Sequence, residues 1–151
     1  REGRAIRLHD KWGVNGIELR QHAAIVFQID PTQVTGWDGD VEFYVEDLMV
    51  PALDHGFKAA LIVINGGGAT ITEIERCLAH NIPVIIVEGT GRAADDLAKA
   101  LKGDRDGVGD AKDRIIAIAD GDNTDLITVV DFDDPMTLKA ALLKLGIIAE
   151  A

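Results

Sequence analysis

Short runs of β-branched and apolar residues recur along this chain, each followed by a glycine or aspartate cluster and then by a helical pattern. That alternation is the strongest constraint on what the chain can fold into. Ala23–Ile29, Ala59–Ile64 and Pro83–Val87 are apolar nearly throughout, which reads as strands buried on both faces. Ile115–Ala119 and Leu126–Phe132 read as two more strands. Val41–Leu53 is expected as a helix with Val41, Val45, Leu48, Ala52 and Leu53 on one stripe, kinked or ended by Pro51. Thr70–His80, with Ile71, Ile74 and Leu78 on one face, and Ala93–Lys102 are the next helices. Asp134 and Pro135 supply an N-cap and a first-position proline for a last helix, which turns Leu138, Leu142 and Leu145 inward and stops at Gly146. Asp30–Asp40 is read as a loop and Gly103–Asp113 as a mobile, solvated one. The first 22 residues carry less pattern, with Ala5–Leu8 a weak strand and Trp12–Gly13 a turn. Strands without a polar face, alternating with helices, require a parallel sheet covered on both sides.

Composition narrows the function. The 151 residues include 15 basic and 26 acidic side chains, a net charge of −11, and fit one domain spanning 1–151. Such a balance argues against nucleic acid or an anionic membrane surface as a partner, because both need a basic face. A compact anion can still be held by a local group of backbone N–H donors and one arginine. The chain contains no serine, so serine-nucleophile chemistry is excluded. A single cysteine, Cys77, forms no internal disulfide or multi-cysteine zinc site, which points to a reducing compartment. No apolar run approaches the roughly 18 residues of a membrane span, and no signal peptide opens the chain. The expected localisation is therefore cytoplasmic. The chain begins with Arg1 rather than Met and is expected to be an N-terminally truncated fragment.

In an open parallel sheet, ligands bind beyond the carboxyl ends of the strands. Two neighbouring turns at that edge are rich in glycine: Gly66, Gly67 and Gly68 after one strand, and Gly89, Thr90 and Gly91 after the next. Glycine lets the backbone turn tightly and lets an anion approach without meeting a Cβ. The following helix adds free N–H groups, Thr70 among the first of them, and a partial positive charge. Arg92 opens one such helix and can close on a phosphate with two parallel hydrogen bonds. The plainer alternative is that the glycines serve only tight strand-to-helix turns. Neither turn is G-x-G-x-x-G or a P-loop, so the fingerprints of an ordinary dinucleotide cofactor or an NTPase are missing.

Glu73, one turn into the helix after the first glycine turn, is the candidate catalytic acid or base, or a holder of a ribose hydroxyl. Thr70–Glu73 also reads as a capping box, in which both side chains satisfy backbone N–H groups. Asp95 divides in the same way between a first-turn carboxylate favoured by the helix dipole and a ribose contact. His9, His22, His55 and His80 lack the spacing of a metal site, and Asp120, Asp122 and Asp125 lack the glycine and distal glutamate of a calcium loop. No metal and no cofactor is expected. Cys77, mid-helix, reads as a small buried side chain.

These residues carry a resemblance. Asn65–Glu73 (N-G-G-G-A-T-I-T-E) resembles the P-G-G-x-G-T-x-x-E signature of the SLOG superfamily, which includes the lysine-decarboxylase-like phosphoribohydrolases that activate cytokinins. Val87–Asp95 (V-E-G-T-G-R-A-A-D) is similar to the E-G-S-G-R-A-A-D segment in the N-terminal homology region of TRPM channels. His22–Phe27 and Asp131–Leu138 also resemble stretches of that region, in the same order. The chain is identified as a prokaryotic relative of the TRPM-type SLOG domain. The resemblance implies an α/β, Rossmann-like doubly wound parallel sheet whose glycine loops bind a nucleotide-derived ligand, ADP-ribose being the best-known in the channels. It implies that Arg92 contacts a phosphate, and that the family's first strand, with its V-T-G-G turn, lies upstream of Arg1. It further implies a sensor in signalling or anti-phage systems, joined to a membrane or effector domain.

The departures bear on catalysis. Asn65 replaces the proline and Ala69 the second glycine of the phosphoribohydrolase signature. The arginine-lysine segment of those enzymes has no counterpart in Val41–Leu53, which instead carries Glu42, Glu46 and Asp47. Glycosidic cleavage needs charge stabilisation beside the leaving ribosyl phosphate. The leading expectation is therefore a ligand-sensing domain with Gly66–Thr70 and Gly89–Arg92 on the phosphates and Glu73 or Asp95 on ribose. The alternatives are a nucleotide N-glycosidase with Glu73 as acid or base, and a structural oligomerisation module.

Overall fold

The structure is a computed structural model and describes residues 43–109 and 111–149. The strand expected at 23–29, the loop at 30–40, the pattern in 1–22, and Val41 and Glu42 lie outside the described residues. Among the described residues, three parallel strands form one sheet in the order β1 (Leu61–Ile64), β2 (Val84–Glu88), β3 (Ile127–Asp131). In register, Ile64 lies beside Val87 and Glu88 beside Asp131, so all three strands deliver their next turns to the same edge.

β2 is central. Val84 and Ile86 point into a core with the helices of one face, and Ile85 and Val87 into a smaller core on the other; of these four only Val87 keeps a trace of exposure. A strand enclosed on both faces has no use for a polar alternate position, and its sequence carries none. On the first face lie α1 (Val50–Asp54), α2 (Gly68–Ala79), α3 (Arg92–Leu101) and α4 (Lys112–Ala119), supplying Ile71, Ile74, Cys77, Leu97 and Ile115. On the second, α5 (Pro135–Lys144) packs Ala141, Leu138 and Leu142 over β2 and β3. Helices on both faces of a parallel sheet make this an α/β, Rossmann-like doubly wound fold. No helix among the described residues is long and apolar enough to cross a membrane.

Several expectations need correction. Ile115–Ala119 is not a strand but the body of α4. A short apolar run fits either element, and here Ile115 and Ile118, three residues apart, both turn into the core while Ala117 faces out. β1 is not buried on both faces: α5 covers β2 and β3, leaving Ile64 62% exposed and Ile62 41%. The single helix expected at 41–53 is instead a π-helical segment, Phe43–Met49, followed by α1, with Val45 buried and Leu48 exposed. Pro51 sits in the first turn of α1, where its missing N–H costs no helical bond, and so marks a start rather than an end. The 103–113 stretch is not simply solvated, because Val108 is buried and the Gly109 N–H donates to Asp96. The cap of α5 forms as expected: Asp134 Oδ1 accepts the Met136 N–H at 3.0 Å, and Gly146 follows the helix with φ +66°.

Candidate functional site

The two glycine turns leave neighbouring strands, and Asn65 ties them together. Asn65 donates its backbone N–H to Thr90 Oγ1 at 2.8 Å and its Nδ2 to the Thr90 carbonyl at 2.7 Å. Its own carbonyl accepts the Ala94 N–H at 3.0 Å. Thr90 Oγ1 in turn donates to the Val87 carbonyl at 2.7 Å. Asn65 holds φ +60°, a left-handed conformation that asparagine tolerates better than most residues. Gly91 has φ +92°, and a Cβ there would sit 3.3 Å from Asn65 Nδ2.

Beside this tie is a cavity of about 180 Å³ lined by Gly66, Gly67, Gly68, Ile71, Arg92, Ala93, Asp96 and Ala111. Three helices open onto it: Gly68 is the first residue of α2, Arg92 and Ala93 the first two of α3, and Ala111 the N-cap of α4. The amides of Gly66, Gly68, Ala69, Thr70, Arg92 and Ala93 have no acceptor among the described residues, as expected for first-turn donors. Arg92 reaches from the second turn across to the first. Its Nη2 lies 2.9 Å from where a Cβ of residue 67 would stand, so the guanidinium fills the space that Gly67 leaves vacant. It has no ion-pair partner among the described residues. Arg92 and Ala111 both hold left-handed backbone, φ +50° and +59°. Such conformations cost about 1–3 kcal/mol each in a non-glycine residue and gather at functional sites.

The remaining expected residues take supporting or separate places. Gly89 donates its N–H to Asp95 Oδ1 at 2.7 Å, so that amide is engaged within the protein and Asp95 is the brace of the second turn. Thr70 is not the N-cap. α2 begins two residues earlier than expected, and Thr70 Oγ1 accepts the Gly67 N–H at 3.3 Å from the third helical position. Glu73 therefore caps nothing. It also stands about 200° around the helix from the cavity-lining Ile71, on the side of Arg76 and His80. Those two reach Glu46 of the π-helical segment, at 3.4 and 2.8 Å. Partial burial pushes the Glu73 carboxyl above its usual range. Burial, helped by the Glu73 charge, lifts the Cys77 thiol to about 11, which leaves it a weak nucleophile. Among the described residues no group of three or more His, Cys, Asp or Glu is placed to hold a metal ion.

Sequence reasoning missed Asn65 as the tie, Asp96 as the cavity's carboxylate, and Ala111 with the helix behind it. Neighbours in sequence, Asp95 and Asp96 are about 100° apart on α3, and only the placement of the Gly89 turn and of Gly109 tells which braces and which faces the cavity.

A family profile described as "SLOG in TRPM, prokaryote" matches residues 21–136, most of the chain. The chain belongs to this prokaryotic SLOG family. The match takes in both glycine turns, Arg92 and the whole described sheet of this SLOG domain. Comparison with curated proteins gave no match, and comparison with solved structures gave none. Membership in the SLOG family points to a nucleotide-related role, either ligand binding or a glycosidase-like reaction.

Proposed function

We propose that this SLOG domain is a sensor for a nucleotide-derived ligand such as ADP-ribose or an NAD derivative. One observation carries the reading: three helix N-termini and the Arg92 guanidinium, unpaired among the described residues, meet at one cavity in a chain of net charge −11. Against that acidic background, a concentrated positive end is an arrangement for a small anion. One phosphate of the ligand is set on the amides of Gly68, Ala69 and Thr70 and of Arg92 and Ala93, with Arg92 as charge partner. Gly89, Thr90, Gly91 and Asp95 act behind them, holding the second turn in shape. In the same reading the domain works in the cytoplasm, takes neither nucleic acid nor membrane as a direct partner, and serves an effector or membrane domain to which it is joined. In the same reading it is able to assemble as a homo-oligomer.

Calorimetry on the folded protein tests this: heat of binding is expected with ADP-ribose. No heat with ADP-ribose, NAD or any adenine nucleotide rejects the proposal. The second reading, a nucleotide N-glycosidase, draws on Glu73, whose carboxyl partial burial shifts upward, the direction that favours a general acid. The position of Glu73 away from the cavity speaks against it. Release of free base from NAD or a nucleoside monophosphate, lost in Glu73→Gln, would reverse the ranking.

A further inference from the structure

We infer that Asp96 makes the cavity selective for a hydroxylated sugar phosphate and turns away a polyphosphate. The inference rests on the nucleotide-binding reading above and says which part of the ligand enters. Arg92 and Asp96 stand four residues apart on α3, one turn of the same helix face, and both line the cavity. They carry opposite charges yet form no ion pair with each other. Asp96 is held from the outer side instead: Oδ2 accepts the Gly109 N–H at 3.2 Å, and Oδ1 lies 3.8 Å from Lys99 Nζ. Its side chain is only 14% exposed. A carboxylate offers about four acceptor positions, so these two contacts leave acceptors for the cavity. Carboxylate oxygens only accept; they welcome sugar hydroxyls and repel a second phosphate.

Size agrees with chemistry. The cavity of about 180 Å³ is well under the roughly 300–1,000 Å³ that encloses a whole drug-sized ligand. One sugar-phosphate unit enters, and the rest of the nucleotide lies outside. The phosphate goes to Arg92 and the α2 and α3 amides, the sugar's 2-hydroxyl goes to Asp96, and Ile71 and Ala93 give the sugar's carbon face an apolar wall.

The test compares ribose 5-phosphate, 2-deoxyribose 5-phosphate and pyrophosphate on the wild type and on Asp96→Asn. Asparagine retains an oxygen for the Gly109 amide but loses the charge. Wild type is expected to prefer the ribose compound about tenfold, the worth of one hydrogen bond to a charged group. In Asp96→Asn that preference falls toward parity, and pyrophosphate binds about tenfold more tightly once the like charge is gone. Equal binding of the two sugar phosphates by wild type overturns the role of Asp96 while leaving nucleotide binding intact, and needs no variant to fold. An unchanged preference in Asp96→Asn overturns it equally. If wild type binds none of the three and no ADP-ribose, the nucleotide reading itself fails.

Discussion

Replacing Arg92 with alanine is expected to weaken ADP-ribose binding by about 1.5–3 kcal/mol, the cost of losing a hydrogen bond to a charged group. That is roughly ten- to hundredfold in dissociation constant. The fold should not notice. The guanidinium has no partner among the described residues, so Arg92→Ala should melt within about 0.5 kcal/mol of wild type. Arg92→Lys should fall between the two in affinity, keeping the charge but losing the planar fork. Arg92→Gly separates the two properties further. At φ +50° a side chain is strained, and glycine relieves that strain while removing the phosphate contact. Affinity then falls as in Arg92→Ala with no loss of stability beyond glycine's own chain entropy. Titration calorimetry at low ionic strength beside thermal melts gives both numbers; low salt matters because an exposed cation is readily screened. A variant that melts early and binds normally would make Arg92 a structural residue.

Asn65→Ala is expected to cost about 2–3 kcal/mol of stability, in two parts. The Thr90 carbonyl loses its Nδ2 donor in a partly buried turn, about 1–2 kcal/mol. Alanine must then also hold φ +60°, about 1 kcal/mol more than asparagine pays there. For a chain of this size the Tm should drop by about 5–10 °C. Asn65→Gly restores the backbone freedom but not the bond, and should recover roughly half of the loss. Ligand affinity should weaken in both variants, because the amides of the two turns keep their spacing through Asn65. If Asn65→Ala and Asn65→Gly melt alike at the wild-type temperature, the tie between the turns contributes nothing.

How much of this was legible depended on whether the deciding force was local. β2 and the cap of α5 were readable because burial on both faces and the Asp134–Pro135 pair are properties of the segment itself. The glycine turns were placed correctly for the same reason. α4 was misread because Ile115–Ala119 is five apolar residues, and only the core decides which of them are covered. That error hid the third helix N-terminus of the site. The capping role of Glu73 depends on a helix that starts at Thr70; with Gly68 as the first residue of α2, that role shifts off the side chain. Asn65 stood as a departure from a signature proline, whereas its left-handed backbone and amide group make it the link that proline, lacking a donor, would not supply.

The most direct test is an ¹H–¹⁵N titration of the protein with ADP-ribose. The amides of Gly68, Ala69, Thr70, Arg92 and Ala93, which have no acceptor among the described residues, should show the largest shifts. Gly89, already donating to Asp95, should move less. Saturating ligand that leaves those five resonances in place while others respond would contradict the account.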